Sequence, residues 1–317
     1  MRRNTVSVTY EITPAANPKI SVLTFCLNSG NFLRETIGSV LQQTYGNYEF
    51  IIKDGGSTDE TIEILKEYPQ IRWVSEKEDG DITALKILDA IWQAFHISRG
   101  EYVIYLAISD GISDPNWFKK AVEILDSDPE VSWVWGISQT KLEDGCQGKI
   151  FWQEYLEHAP PQKQEWFPFW FALQHAQETN AVFRRSVFEK CFPRNDPNDP
   201  YRFNPTFGFA LALNTMGYMP YFLPLISFYG HTHKNQLQER FYDLLDSISK
   251  RYRRDIIEYR KKFLSGKIVH RFRDGSGNVI HEVGKNELWQ YRKKVLIYRL
   301  KYKLRRELQK LMDHIVY

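Results

Sequence analysis

An α/β fold built on a largely parallel sheet is predicted from three observations. Strand-type and helix-type segments alternate four times in the first 130 residues, acidic residues stand at the ends of three of those strands, and 9 Trp, 18 Tyr and 20 Phe supply a packed core. At 317 residues the chain has room for one large domain with an appendage, because single cores stop growing at about 250–300 residues.

The elements follow in order. Ile20 to Phe25 is a β-type run that passes through Cys26 and Leu27 into the turn Asn28-Ser29-Gly30. Phe32, Leu33, Ile37, Val40 and Leu41 then recur at helical spacing. Tyr48 to Ile52 is a second strand, running into Lys53-Asp54-Gly55-Gly56-Ser57-Thr58-Asp59. Ser57 with Glu60 three residues on is a capping-box pattern for a helix carrying Ile62, Leu65 and Tyr68. Ile71 to Val74 is a third strand, followed by the acidic loop Glu76 to Asp81 and a helix with Asp89, Ile91, Trp92 and Phe95. Tyr102 to Ile108 is a fourth, strongly apolar strand ending at Ser109-Asp110-Gly111, and Asp114-Pro115 suits the start of the next helix. Val131 to Gly136 reads as a further strand, after which the pattern is irregular and rich in Trp, Phe and Pro. Tyr242 to Lys262 is helical by pattern, and Asp274 to Gly277 is a turn within a short hairpin.

The net charge of +3 conceals an asymmetry. Residues 285–317 hold ten Lys or Arg against three acids, so the rest of the chain is net acidic, and electrostatic partners belong to the tail. Cys26, Cys146 and Cys191 have neither metal-type spacing nor an even number for a disulfide framework, which fits a reducing cytoplasm. A signal peptide and a membrane span are not expected, since no run of about 18 apolar residues occurs.

Ligands of an open parallel sheet bind beyond the carboxyl ends of its strands. Asp54, the Glu76 to Asp81 loop and Asp110 therefore converge on one crevice, where gathered carboxylates call for a cation or hydroxyl groups. The run Ile20 to Asn28, the segment Phe32 to Tyr45, Asp54-Gly-Gly-Ser-Thr-Asp59, and Gly100 to Leu106 followed by Ser109-Asp110 together resemble glycosyltransferase family 2. The resemblance covers residues 20 to about 235 and is strongest before 130.

It implies a GT-A fold, Rossmann-like, with a mostly parallel central sheet flanked by helices and a helical basic C-terminal extension. The implied divisions are an N-terminal arm at 1–19, a catalytic domain at 20–240 and the extension at 241–317. The nucleotide-binding half of the domain covers 20–130 and the acceptor-binding half 131–240. By position the resemblance puts Thr24, Asn28, Asp54, Asp59, Asp89 and Ser109 on the nucleotide. The family's Asp-x-Asp metal motif is reduced here to Asp110, expected to hold Mn²⁺ or Mg²⁺ together with His233, or else His231. The family's downstream acidic positions fall on Thr206 and Gly208, neither of which can take a proton, so Glu178 is the candidate base, with Asp196 and Asp199 as further options.

The implied activity is inverting transfer of a sugar from a nucleotide-sugar donor, a UDP-sugar first among them, to a glycan or lipid-linked acceptor in cell-surface polysaccharide synthesis. The alternative is a catalytically silent relative that binds sugar nucleotide or glycan as a partner subunit. In the tail, Trp289, Leu296, Leu300, Leu304, Leu308 and Leu311 lie near one helical face, with Lys294, Arg299, Lys301, Arg305 and Lys310 on the others. That pattern serves either docking on the catalytic domain or peripheral attachment to the anionic inner face of a membrane. Nucleic acid is not an expected partner.

Overall fold

The computed structural model describes residues 17–77, 83–174, 180–232 and 242–315, with the backbone alone at 83–84, 242, 306 and 309–315. Four strands form the parallel half of the main sheet: β1 (Ile20–Cys26), β2 (Tyr48–Asp54), β3 (Arg72–Ser75) and β4 (Tyr102–Tyr105). Their order is β3-β2-β1-β4, and Cys26 sits opposite Asp54 at the carboxyl edge. Helices α1 (Gly30–Leu41), α2 (Thr61–Lys66) and α3 (Thr83–Ile97) make the crossovers.

β1 shows why the sheet is buried on both sides. Ile20 and Val22 enter one core with Leu33, Ile37 and Val40 of α1, whereas Leu23 and Phe25 enter a second core with Ile91 and Phe95 of α3. A period of two distributes a continuous apolar run between two layers of helices.

The sheet continues through β8 (Val182–Arg184), β6 (Val131–Lys141), β9 (Met219–His231) and β5 (Asp110–Ile112), with β7 (Gln147–Ile150) paired to β6. β8 runs antiparallel to β4 and to β6, and β9 runs parallel to β6. Between these strands lie α4 (Trp117–Ser127), α5 (Glu154–Glu157), α6 (Trp166–Leu173), α7 (Arg185–Cys191) and α8 (Pro205–Thr215).

Three local expectations change. Ser57 does not cap α2: its hydroxyl bonds Asp54 Oδ1 at 2.5 Å, and the helix begins at Thr61. The fourth strand stops at Tyr105, because Asp110 N turns back onto Ala107 O and the chain re-enters the sheet as β5 against β9. Asp114 is not the N-cap of α4, which is Asn116; the Asp114 carboxylate instead accepts from Asn116 N at 2.9 Å, a turn before the helix.

The aromatic run of α6 is core. Trp166, Phe167, Phe169, Trp170 and Phe171 are all buried. They hold the long helix Tyr242–Leu264 through Trp170 Nε1 to Tyr252 Oη at 3.1 Å, and the C-terminal helix Leu288–Ile315 through Phe167 on Tyr291 and Phe169 on Tyr298. A hairpin of β10 (Arg271–Arg273) and β11 (Val279–Glu282) sends His270 against the Phe167 ring, 3.5 Å between centroids. Burial in that apolar setting pushes the His270 imidazole down to about 3, so it is a neutral packing residue.

Candidate active site

Two loops at the carboxyl edge are knitted into one body. Asp54 is fully buried, and its carboxylate accepts from Gly56 N (2.9 Å), Ser57 N (3.0 Å), Ser57 Oγ and Ser75 Oγ (2.6 Å). A carboxylate with no exposed surface and this many donors fixes its own loop. In this conformation the Asp54 oxygens are taken up by the loop itself. Thr24 is also fully buried, with its hydroxyl unpartnered among the described residues.

Asn28 differs from both. It is exposed, stands at φ 50°, and receives Thr58 N on its Oδ1 at 2.8 Å while its own N donates to Ser57 Oγ at 2.7 Å. Asp59 bridges the starts of two helices, accepting from Gly30 N (3.1 Å) and Thr61 N (3.0 Å). Desolvation works against its charge, yet those donors prevail and hold its carboxyl below the usual aspartate range. The result is a preformed polar rim made of Asn28, Gly55, Gly56 and Thr58, backed by two helix N-termini.

Asp110 opens β5 at the end of the neighbouring strand. It is partly buried; Asn180 Nδ2 donates to its Oδ2 at 2.9 Å, and its main-chain oxygen accepts from Thr36 Oγ1 at 2.8 Å. Burial pushes its carboxyl up to about 6, with the Asn180 amide opposing the shift. Ser109 lies beside it and uses its main-chain oxygen to accept from His231 N at 3.0 Å. Asp89 does not join this group through any described contact; it accepts from Asn195 Nδ2 at 2.8 Å.

His231 is engaged elsewhere. Its Nε2 lies 3.0 Å from Glu35 Oε2, and Lys141 Nζ lies 2.7 Å from Glu35 Oε1. Burial would raise the Glu35 carboxyl, but Lys141, Tyr229 and His231 together hold it below the usual glutamate range. Tyr229 also closes over Gly111, where a Cβ would meet its hydroxyl at 2.2 Å. Beside this cluster a cleft of about 600 Å³ opens between α1 and strands β5, β9 and β6, lined by Glu35, Ser39, Gln139, Thr140, Lys141 and Tyr229.

Glu178 and His233 lie outside the described residues. The absence of an acid at position 208 has a steric reason: a Cβ on Gly208 would meet Tyr201 Cβ at 2.6 Å and Pro193 Cγ at 3.0 Å. Asp196 and Asp199 accept from Asn198 N and Tyr201 N respectively, within their own loop. Among the described residues no cluster of three or more His, Cys, Asp or Glu could hold a metal ion. Asp110 can still contribute one oxygen to a magnesium- or manganese-type shell completed by substrate phosphates and water, because its Oδ1 receives no donor among the described residues.

Asn180 and the Glu35 cluster were not legible as site residues in the sequence. Asn180 carries the one available signal, an asparagine two residues before the Val182 to Phe188 segment.

A parallel half-sheet with two loops knitted into a polar rim at its carboxyl edge, and a carboxylate on the segment that follows β4, defines a GT-A glycosyltransferase fold. The chain belongs to glycosyl transferase family 2, which matches residues 21–192. An uncharacterized glycosyltransferase of Mycobacterium tuberculosis is 33% identical over 128 residues, 39% of this chain and 47% of its own length. TuaG of Bacillus subtilis, named for teichuronic acid biosynthesis, is 30% identical over 112 residues, 33% of this chain and 40% of that protein. The crystal structure of S. aureus TarS 1-349 in complex with UDP-GlcNAc aligns with a TM-score of 0.52 at 14% identity, covering 88% of this chain and 80% of that one. The structural likeness is one of fold. The chain spans about half the length of the curated relatives it matches.

Proposed function

We propose that the chain transfers a sugar from a nucleotide-sugar donor, a UDP-sugar, to a glycan or lipid-linked acceptor, inverting the anomeric carbon. The observation that carries this reading is Asp110, a partly buried carboxylate beyond the end of β4 whose Oδ1 receives no donor among the described residues. The UDP complex of the structural neighbour supports a uridine donor, and the teichuronic acid relative supports a cell-surface polymer as product.

In this reading the base sits on the rim, and the diphosphate reaches toward Asp110. The acceptor hydroxyl loses its proton to the Glu178 carboxylate as its oxygen bonds the anomeric carbon. The bond from that carbon to the diphosphate oxygen breaks, and the electron pair leaves with the diphosphate. A divalent ion, when bound, supplies positive charge against that leaving group. Asp110 would hold that ion, and Asp59 with Asp54 keeps the rim from rearranging.

The C-terminal helix supports work at a membrane surface. Trp289 (65% exposed), Leu296, Leu300, Leu304 (63%) and Leu308 form an exposed row, while Tyr291 and Val295 of the same helix are buried against α6. Docking on the domain therefore uses one face and leaves the leucine row to solvent, flanked by Arg292, Arg299 and Lys303 on one side and Lys301 and Arg305 on the other. No described helix is long and apolar enough to cross a membrane, so the association is peripheral in this reading, at the cytoplasmic face.

Calorimetric titration with UDP, GDP and dTDP, with and without Mn²⁺, tests the donor reading. Metal-dependent binding of UDP that disappears in Asp110→Ala is expected. Absence of binding by any of the three diphosphates overturns it. The packing that closes position 208 favours the second reading, a silent binder, which would bind UDP and turn nothing over.

A further inference from the structure

Asn180 is 3% exposed and stands at φ 57°, in the left-handed region that asparagine tolerates better than other side chains. One end of its amide is used, since Nδ2 donates to Asp110 Oδ2. The other end, Oδ1, is buried with no hydrogen-bond partner among the described residues. A buried acceptor left in this state is costly, and native structures normally satisfy it with protein, water or an ion.

The setting of this orphan oxygen is specific. Asp110 Oδ1 also receives no donor among the described residues, and it faces Gly230, where a Cβ would stand 3.1 Å away. A side chain at position 230 would crowd that oxygen. Two uncommitted oxygens, one anionic and one amide, thus belong to side chains already joined to each other. Ile108, where the resemblance would place the first carboxylate of the metal motif, is apolar. The nearest histidine with described geometry, His231, is engaged with Glu35.

We propose that Asn180 supplies the second protein oxygen of the divalent-cation site, in place of the carboxylate missing at position 108. This rests on reading the chain as a nucleotide-diphosphate-sugar transferase. Carbonyl oxygens are among the hard donors that suit magnesium and manganese. The broad torsion of an asparagine amide lets a half-turn present Oδ1 to the Asp110 side once a cation replaces the hydrogen bond. A pair with one negative charge, where two carboxylates would carry two, leaves the diphosphate to provide the remaining attraction. Cation binding is therefore strongly coupled to nucleotide, and weak without it.

The test reads manganese binding directly, by loss of the free Mn²⁺ EPR signal at saturating UDP. It uses the full chain and its Asn180→Ala, Asn180→Asp and Asp110→Ala variants, with thermal melts to confirm folding. Asn180→Ala is expected to weaken Mn²⁺ at least about tenfold, and Asn180→Asp to match or exceed the parent. A residue that merely braces Asp110 predicts the opposite order, because a carboxylate at 180 would repel Asp110 and bind worse than alanine. Unchanged affinity in Asn180→Ala, or Asn180→Asp weaker than Asn180→Ala, overturns the ligand assignment while leaving the donor reading in place. Absence of any Mn²⁺-dependent UDP binding by the parent overturns both.

Discussion

Replacing Asp110 by asparagine should stabilise the protein while abolishing its metal-dependent nucleotide binding. Burial raises the Asp110 carboxyl from an ordinary 3.8 to about 6. In the folded state the group therefore holds a proton that the unfolded chain releases, throughout the interval between those values. Stability from this residue is fully present below 3.8, declines as pH rises through the interval, and is lost above about 6. At about 1.36 kcal/mol per pH unit, the interval corresponds to about 3 kcal/mol of penalty carried at neutral pH. Partial exposure screens some of this, so Asp110→Asn is expected to gain between about 1 and 3 kcal/mol at pH 7.5. The gain should shrink toward zero near pH 4. Urea unfolding of parent and variant at pH 4, 5, 6 and 7.5 measures it, alongside calorimetry with UDP and Mn²⁺. In the parent, metal-dependent UDP binding should weaken as pH falls through about 6, because the proton competes with the cation. A stability difference that is the same at all four pH values would refute the argument, since a constant offset reports packing and not charge burial.

Three other outcomes follow from the packing and the site. Phe167→Ala removes a buried ring stacked on His270 and packed on Phe263 and Tyr291, and should cost about 3–5 kcal/mol in chemical denaturation; a loss below about 1 kcal/mol would mean that the C-terminal helices do not share this core. Leu300→Asp with Leu304→Asp should leave the melting temperature within about 2 °C, because both side chains are exposed. The pair should abolish sedimentation with phosphatidylglycerol vesicles, and undiminished sedimentation would reject the leucine row as the lipid-contacting face. Glu178→Gln should lower turnover by about 10²–10⁴ with UDP binding intact, and unchanged turnover would remove Glu178 as the base.

The parallel half of the sheet was readable because β1 and β2 are apolar runs ended by turn-forming residues, and both appear within a residue or two of expectation. Ser57 misled because the same hydroxyl that could cap a helix is captured by Asp54, a competition decided by the third dimension. Periodicity found the leucine row of the C-terminal helix but not its second apolar face, where Tyr291, Val295 and Tyr298 meet α6. Asn180 was invisible for a different reason. Its meaning depends on a strand pairing that brings residues seventy positions apart into contact, and no local pattern records that.

The grip of α6 on the C-terminal helix has a consequence for orientation. Because Phe167, Phe169 and the buried tyrosines clamp that helix to the same core that carries the sheet, the leucine row is fixed in angle relative to the Asn28–Thr58 rim. Whatever plane the row lies against sets the height and tilt at which the crevice opens above it. A helix on a slack linker would sample many heights; in the proposed membrane-bound state this one would act as a mounting bracket, so that acceptors would be selected by their distance from the surface.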